Sequence, residues 1–133
     1  MKTLEEVRAF FEKDRFATEN GAVIEEVKDG YARCVMELCD CHRNALGAVM
    51  GGAIFTLADF AFAVASNWNK EPHVSLTSQI TYLGKAKGNQ LIAEAKLIRE
   101  GRTTCYYVIE ITDELGSQVA HVTSSGFAVP GHR

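Results

Sequence analysis

The residues with the clearest chemical potential lie between Asn44 and Ser66, in the run NALGAVMGGAIFTLADFAFAVAS. One carboxylate, Asp59, is set among small and apolar residues there. An ionised carboxylate in an apolar interior costs several kcal/mol unless it is hydrogen-bonded, paired or wetted, so Asp59 demands compensation or a use. Gly51-Gly52 opens the same run. At a helix start, unpaired backbone N–H groups and the positive dipole end favour developing negative charge, which makes this pair a natural oxyanion site. A carboxylate that handles a proton and a main-chain donor that stabilises an oxyanion are the two parts needed for attack of water on a carbonyl.

From Gly52 to Ala65 the run predicts a helix that is apolar almost all round, and so buried on every side. It is shorter than the roughly 20 apolar residues of a membrane span, and Asp59 interrupts it. At helical spacing Thr56, Asp59, Ala63 and Ser66 fall on one stripe, which should face a cleft or a second subunit. Eight residues of helix place Gly51 and Asp59 about 12 Å apart along the axis. Both must reach within about 3 Å of one reacting group, which a single chain does not readily allow. Two helices related by a two-fold axis would bring Gly51 of one copy opposite Asp59 of the other, so the chemistry predicts a dimer with two shared sites.

The rest of the chain must build the frame. Thr3 and Glu6 form a capping box, and Leu4, Val7, Phe10 and Phe11 give an apolar face, predicting a first helix over Leu4–Phe16. A hairpin follows, from Val23–Val27 through Lys28-Asp29-Gly30 to Tyr31–Leu38, with Ala32, Cys34, Met36 and Leu38 inward. After the helix come four alternating segments, Val74–Leu83, Gln90–Glu100, Thr103–Asp113 and Ser117–Val129. Short turns between them predict an antiparallel meander of successive neighbours. The expected fold class is α+β, one domain over residues 1–133, in which a curved sheet wraps a central helix.

At 133 residues and 47% hydrophobic content the chain can build a core without disulfides or metals. A net charge of -3 and the lack of a basic block argue against nucleic acid as partner. The amino terminus is amphipathic and acidic rather than a signal peptide, and the protein reads as cytoplasmic. The four cysteines are then expected as thiols. Cys39-Asp40-Cys41-His42 opens a loop from Cys39 to Met50 that leads into the central helix; with neighbouring side chains alternating to opposite faces as along a strand, and no second ligand cluster, no metal is expected there. His42, His73, His121 and His132 lie outside any recognisable nucleophile–base arrangement and are read as satisfied or surface residues. Lys85, Lys87, Arg99 and Arg102 cluster near strand ends, either as solvated turn charges or as partners for the phosphates of a ligand. Phe55, Phe60, Phe62 and Trp68 serve equally as core or as walls of a pocket.

The stretch from His42 through Asn44 to Met50-Gly51-Gly52, followed by Leu57-Ala58-Asp59, resembles the signature of hotdog-fold acyl-CoA thioesterases, and within them the PaaI-like group related to phenylacetate degradation. Ile80-Thr81-Tyr82-Leu83, Gly101-Arg102 and Val119-Ala120-His121 extend the resemblance over nearly the whole chain. It implies a hotdog fold assembled as a dimer or dimer of dimers, with active sites shared between subunits. It implies that the Gly51 N–H polarises a thioester carbonyl and that Asp59 of the partner subunit acts as general base or nucleophile. Asn44 would position the reacting groups and Ser75 would lie near the carboxylate. The substrate implied is an acyl-CoA thioester, with Gly52, Lys85 and Arg102 as candidate contacts to the CoA part and no cofactor or metal. One residue departs from the pattern: the family commonly has histidine before the two glycines, and Met50 stands here. A thioether does not replace an imidazole as hydrogen-bond partner or proton carrier, but the main-chain donor and the carboxylate are retained. The alternative reading is a non-catalytic module that binds or senses acyl-CoA.

Overall fold

A computed structural model describes residues 2–129. Two short helices, α1 (Leu4–Phe11) and α2 (Arg15–Glu19), lead into the hairpin β1 (Ala22–Lys28) and β2 (Tyr31–Glu37). A 3-10 turn over Asp40–His42 and a loop precede the long helix α3 (Gly51–Asn67), which is followed by β3 (His73–Tyr82), β4 (Gln90–Glu100), β5 (Thr104–Asp113) and β6 (Gln118–Ala128). All strands pair antiparallel in one six-stranded sheet of order β1-β2-β4-β5-β6-β3. Register shifts in the β1–β2, β3–β6, β4–β5 and β5–β6 pairs bend the sheet around α3. No helix among the described residues is long and apolar enough to cross a membrane.

The core lies between α3 and the concave face. Leu57, Ala58, Ala61, Val64 and Ala65 of α3 meet Ala32, Cys34, Met36, Ala93, Tyr107 and Ile109 from the strands, all essentially without exposure. The Phe62 ring meets Tyr107 edge-on at 5.5 Å between centroids. A Cβ on Gly126 would stand 3.0 Å from Phe62 Cζ, so glycine is what lets the aromatic ring approach β6. Phe60, Phe62 and Trp68 are therefore core, and the Trp68 indole N–H is satisfied by the Lys28 carbonyl at 3.2 Å. The hairpin matches the sequence reading, with Gly30 at φ 69 closing the turn.

Two expectations are corrected. The first helix does not reach Phe16. Val7 and Phe11 are buried, but the next positions on that face are Asp14 and Arg15, which cannot follow them inward, so the chain turns and restarts as α2. The four later segments are also not a simple meander. β3 pairs with β6 at the edge opposite β1, and β4 lies between β2 and β5. The reason is the connection over residues 83–89, which is too long for a tight hairpin. Leu83 N–H donates to the Val119 carbonyl at 2.8 Å, keeping the chain beside β6 before it crosses.

The crossing is held by two carboxylates at the β5–β6 turn. Asp113 is buried, and its Oδ2 accepts from the N–H groups of Lys87 (2.8 Å) and Gly88 (2.9 Å). Its Oδ1 accepts from Leu115 (3.0 Å) and Ser117 (2.9 Å). Glu114 accepts from Asn89 and Gln90 N–H groups. Burial pushes the Asp113 pKa up, but the backbone donors of Ser117, Gly88 and Lys87 more than reverse this and bring it to about 2. Because this lies below the ordinary 3.8, the stabilisation is present above that value and is lost as pH falls toward about 2. Replacing Asp113→Ala leaves four partly buried backbone N–H donors without their acceptor and should cost roughly 2 kcal/mol in urea unfolding at neutral pH. The variant should also lose part of the wild-type dependence of stability on pH in the acid range.

Candidate active site

The start of α3 is built by the loop before it. Met50 is extended at φ -66 and ψ 140, its N–H donates to the His42 carbonyl at 2.8 Å, and its own carbonyl receives Ala53 and Ile54 N–H. The N–H groups of Gly51 and Gly52 have no hydrogen-bond partner among the described residues. They are thus the two free donors at the positive end of a 17-residue helix. The Met50 side chain makes no cap and is exposed.

Gly51 and Gly52 differ in what they permit. The Tyr82 hydroxyl donates to the Gly51 carbonyl at 3.0 Å, and a Cβ on Gly51 would fall 2.7 Å from that oxygen. A Cβ on Gly52 would meet nothing within 4 Å. Close packing therefore requires glycine at Gly51 alone, and Tyr82 is the residue that the sequence reading did not single out. Its signal was available in the alternation of β3, which puts Ser78, Ile80 and Tyr82 on the helix side, opposite Ser124, Val122 and Ala120.

Asn44 shapes the loop. Its Oδ1 accepts from Leu46 (2.9 Å) and Ala48 (3.0 Å) N–H groups, and its backbone pairs with Gly47 and Ala48. Gly47 completes this turn at φ 86. The side-chain oxygen of Asn44 is thus committed to the turn, and its amide N–H₂, on an exposed residue, is left uncommitted.

Three depressions surround the helix. One of about 510 Å³ is lined by Arg43, Ala48, Gly51, Tyr82 and Lys85. A second, of about 320 Å³, is lined by Phe16, His42, Met50, Gly52 and Thr56. A third, of about 480 Å³, holds Asp59 together with Asp14, Phe16, Phe55 and Ala63. Within one chain, then, the structure does not bring Gly51 and Asp59 together. Asp59 was expected in an interior, but it lies on the open stripe of α3 with Gly52, Thr56 and Ala63, and is exposed. It has no hydrogen bond or ion pair among the described residues. Although the residue is exposed, neighbouring atoms partly desolvate its carboxylate and raise its pKa, and the nearby Asp14 charge raises it further.

Ser75 lies opposite Gly126 on the helix-facing side of β3, exposed and at the sheet edge away from β1. It does not line the Asp59 depression. The expected cluster of basic residues is divided: Lys85 and Lys87 precede β4, while Arg99 and Arg102 lie at its far end. The 11 residues of β4 separate them by about 33 Å. Arg43, unmarked in the sequence reading, is the cation that shares the Gly51 depression with Lys85.

The histidines agree with the structural reading where they are described. His42 is buried, gives its Nε2–H to the Asn20 carbonyl at 2.5 Å and accepts Cys39 N–H at Nδ1 (3.1 Å). His73 Nδ1 pairs with the Glu71 carbonyl, and His121 pairs with Glu110. His132 lies outside the described residues. The expectation for residues 39–42 needs correction: they form a 3-10 turn rather than a strand-like alternation. That turn gathers Cys39 Sγ, Cys41 Sγ and a His42 ring nitrogen within 4.8 Å of one another, the group most able to hold a metal among the described residues.

The thioesterase superfamily model matches residues 46–120, which contain the α3 start, Asp59 and Tyr82. The chain belongs to the thioesterase superfamily. Within that family it is PaaI-like and has the hotdog fold. A putative esterase of Archaeoglobus fulgidus is 39% identical over 100 residues, covering 74% of this chain and 65% of that protein. The acyl-coenzyme A thioesterase PaaI of Escherichia coli is 31% identical over 120 residues, covering 90% and 86%. The solved structure of E. coli PaaI superposes with a TM-score of 0.88 at 27% identity, over 97% of this chain and 98% of that one. A thioesterase protein of Streptococcus pneumoniae solved with coenzyme A superposes at 0.82 with 26% identity, over 90% and 97%.

The contact at the helix start of this thioesterase-family chain generates a double-mutant test. Gly51→Ala should lower the melting temperature, because the new methyl displaces the Tyr82 hydroxyl. In a Tyr82→Ala background the same change should be neutral or stabilising, since alanine is favoured over glycine in a helix by about 1 kcal/mol. An equal cost in both backgrounds would show that Tyr82 is not what excludes a side chain.

Proposed function

We propose that this thioesterase-superfamily chain hydrolyses an acyl-CoA thioester to free acid and CoA, in sites shared between two copies. The observation that carries this reading is the unpartnered Asp59 carboxylate, raised in pKa, on the same helix as the free N–H groups of Gly51 and Gly52. Neither group is used to hold the fold. Water adds to the thioester carbonyl, the negative charge grows on its oxygen, and the Gly51 N–H stabilises it. Asp59 of the partner subunit takes the proton from water, or attacks first and forms an anhydride that water then opens. The CoA thiolate leaves and is protonated.

A shared site follows from the separation of the two groups within one chain. The free edge of β3 supports pairing of copies, because Val74 and Leu76 are about half exposed there, at 49% and 57%. Two-fold pairing also gives Ser75 its route to a carboxylate, since it stands on the edge opposite to its own Asp59 depression. Arg43 and Lys85 beside Gly51 suit the phosphates of CoA. Arg102 would reach the ligand only from another copy, and the Asn44 amide positions the substrate from the loop. E. coli PaaI bears the name acyl-coenzyme A thioesterase and the S. pneumoniae protein was solved with coenzyme A; both support this substrate class.

Asp59→Asn separates chemistry from folding. It should lower kcat/KM for thiol release from CoA thioesters by about 10²- to 10⁴-fold, the range for loss of a general base. Its stability should be no lower than that of wild type. A carboxylate whose pKa is raised in the folded state binds its proton more tightly there, so stability falls as pH rises past the ordinary 3.8, and the amide removes this penalty. In wild type, kcat/KM should fall as pH drops through the raised pKa. Unchanged turnover in Asp59→Asn contradicts the mechanism, and saturable acyl-CoA binding without hydrolysis by wild type establishes the binding-module alternative.

A further inference from the structure

The turn over Asp40–His42 places Cys39 Sγ and Cys41 Sγ 2.7 Å apart, and both residues are exposed. Two sulfurs held by one tetrahedral zinc at about 2.3 Å each would stand about 3.7 Å apart, so this turn brings the two free thiols closer together than a shared ion would hold them. The third potential ligand is also occupied. His42 Nδ1 already accepts the Cys39 N–H at 3.1 Å, and its other nitrogen is fixed to the Asn20 carbonyl. This buried imidazole acts as the post on which the turn is wound.

We propose that Cys39 and Cys41 form a dithiol site that exchanges with low-molecular-weight disulfides. The two sulfurs have unequal roles. Hydrogen bonds from the Cys41 thiol and from the Cys41 backbone N–H, joined by that of His42, lower the Cys39 pKa. The Cys41 pKa is raised, chiefly by its bond to Cys39, so Cys39 gives up its proton more readily than Cys41 does. Exposure and thiolate character are what exchange requires. Cys34 and Cys105 are buried and their pKa values are raised by burial, so they stay out of the reaction.

The first step forms a bond from Cys39 Sγ to one sulfur of the small disulfide and breaks its S–S bond, and the departing thiolate takes up a proton. Cys41 then loses its proton to solvent and attacks Cys39 Sγ. The Cys39–Cys41 bond forms, the mixed disulfide breaks and a second small thiol leaves. One small disulfide is reduced to two thiols as the protein dithiol is oxidised. Closing a ring over a single intervening residue is strained, which makes this disulfide oxidising and readily reversed by thiols. Cys41 also lines the depression that contains Met50, Gly52 and Thr56, so the exchange takes place at the wall beside the helix start.

The test equilibrates the folded protein with glutathione disulfide, alkylates free thiols, and maps the products by peptide mass. Wild type should lose alkylation at Cys39 and Cys41 together, give a linked Cys39–Cys41 peptide, and recover both thiols with dithiothreitol. Cys41→Ser should instead accumulate a glutathione adduct on Cys39, because nothing resolves it, and Cys39→Ser should gain little adduct on Cys41. The proposal is overturned if both thiols of wild type stay alkylatable throughout. It is also overturned if adducts form equally on Cys39 and Cys41 in the two single variants. Protection that EDTA releases and dithiothreitol does not would identify a metal site instead.

Discussion

The structure depends on a rigid helix that separates two sets of unpaired polar groups by a fixed distance. α3 carries unpaired N–H groups at Gly51 and Gly52 and an unpaired carboxylate at Asp59, eight residues later. At 1.5 Å per residue, this gap is about 12 Å and is not closed by side-chain motion. The groups line different depressions in the chain. The fold around them fixes the helix rather than the site: the sheet buries one side of α3 and leaves the stripe of Gly52, Thr56, Asp59 and Ala63 open. A site that needs both groups must be completed from outside the chain.

The loop and the crossing connection serve the same constraint. Asn44 winds the loop through its Oδ1, His42 anchors it through both ring nitrogens and its carbonyl, and Met50 then enters the helix with its backbone already paired. On the other side, Asp113 and Glu114 tie down the chain that leaves β3. Tyr82, the last residue of β3, is thereby brought against Gly51. The free N–H groups of Gly51 and Gly52 are flanked by a loop and a strand end that are both fixed by hydrogen bonds. Such support from neighbouring structure is what preorganised electrostatic stabilisation requires.

Much of this was legible in the sequence because its signals were local. The capping box, the hairpin with Asp29-Gly30, the apolar helix and the Gly51–Asp59 spacing depend on residues close along the chain. What failed to show depended on distant pairing. The partner of β3 is set by the length of the connection over residues 83–89 and by Asp113, which looks like an ordinary turn residue until its four backbone donors are placed around it. Lys85 and Arg102 both lie near strand ends in the sequence, but the length of β4 between them holds them apart. Cys39 and Cys41 were read as pointing to opposite faces, and only the His42 bonds reveal the turn that gathers them. Asp59 was read as buried because a helix rich in alanine and phenylalanine gives no sign of which stripe lacks a cover within its own chain.

The most direct measurement is complementation between two inactive chains. Asp59→Asn and Gly51→Pro chains, the proline removing the N–H at the first helical position, are co-expressed with different tags; sequential capture of part of the sample confirms mixed oligomers, and thiol release is assayed on the whole pool. Each mixed dimer would contain one site with both Gly51 and Asp59 intact. With random pairing, activity should return to about a quarter of the wild-type value, because half the dimers are mixed and each has one of two sites whole. Confirmed mixed oligomers with no activity above either variant alone would contradict a site shared between copies.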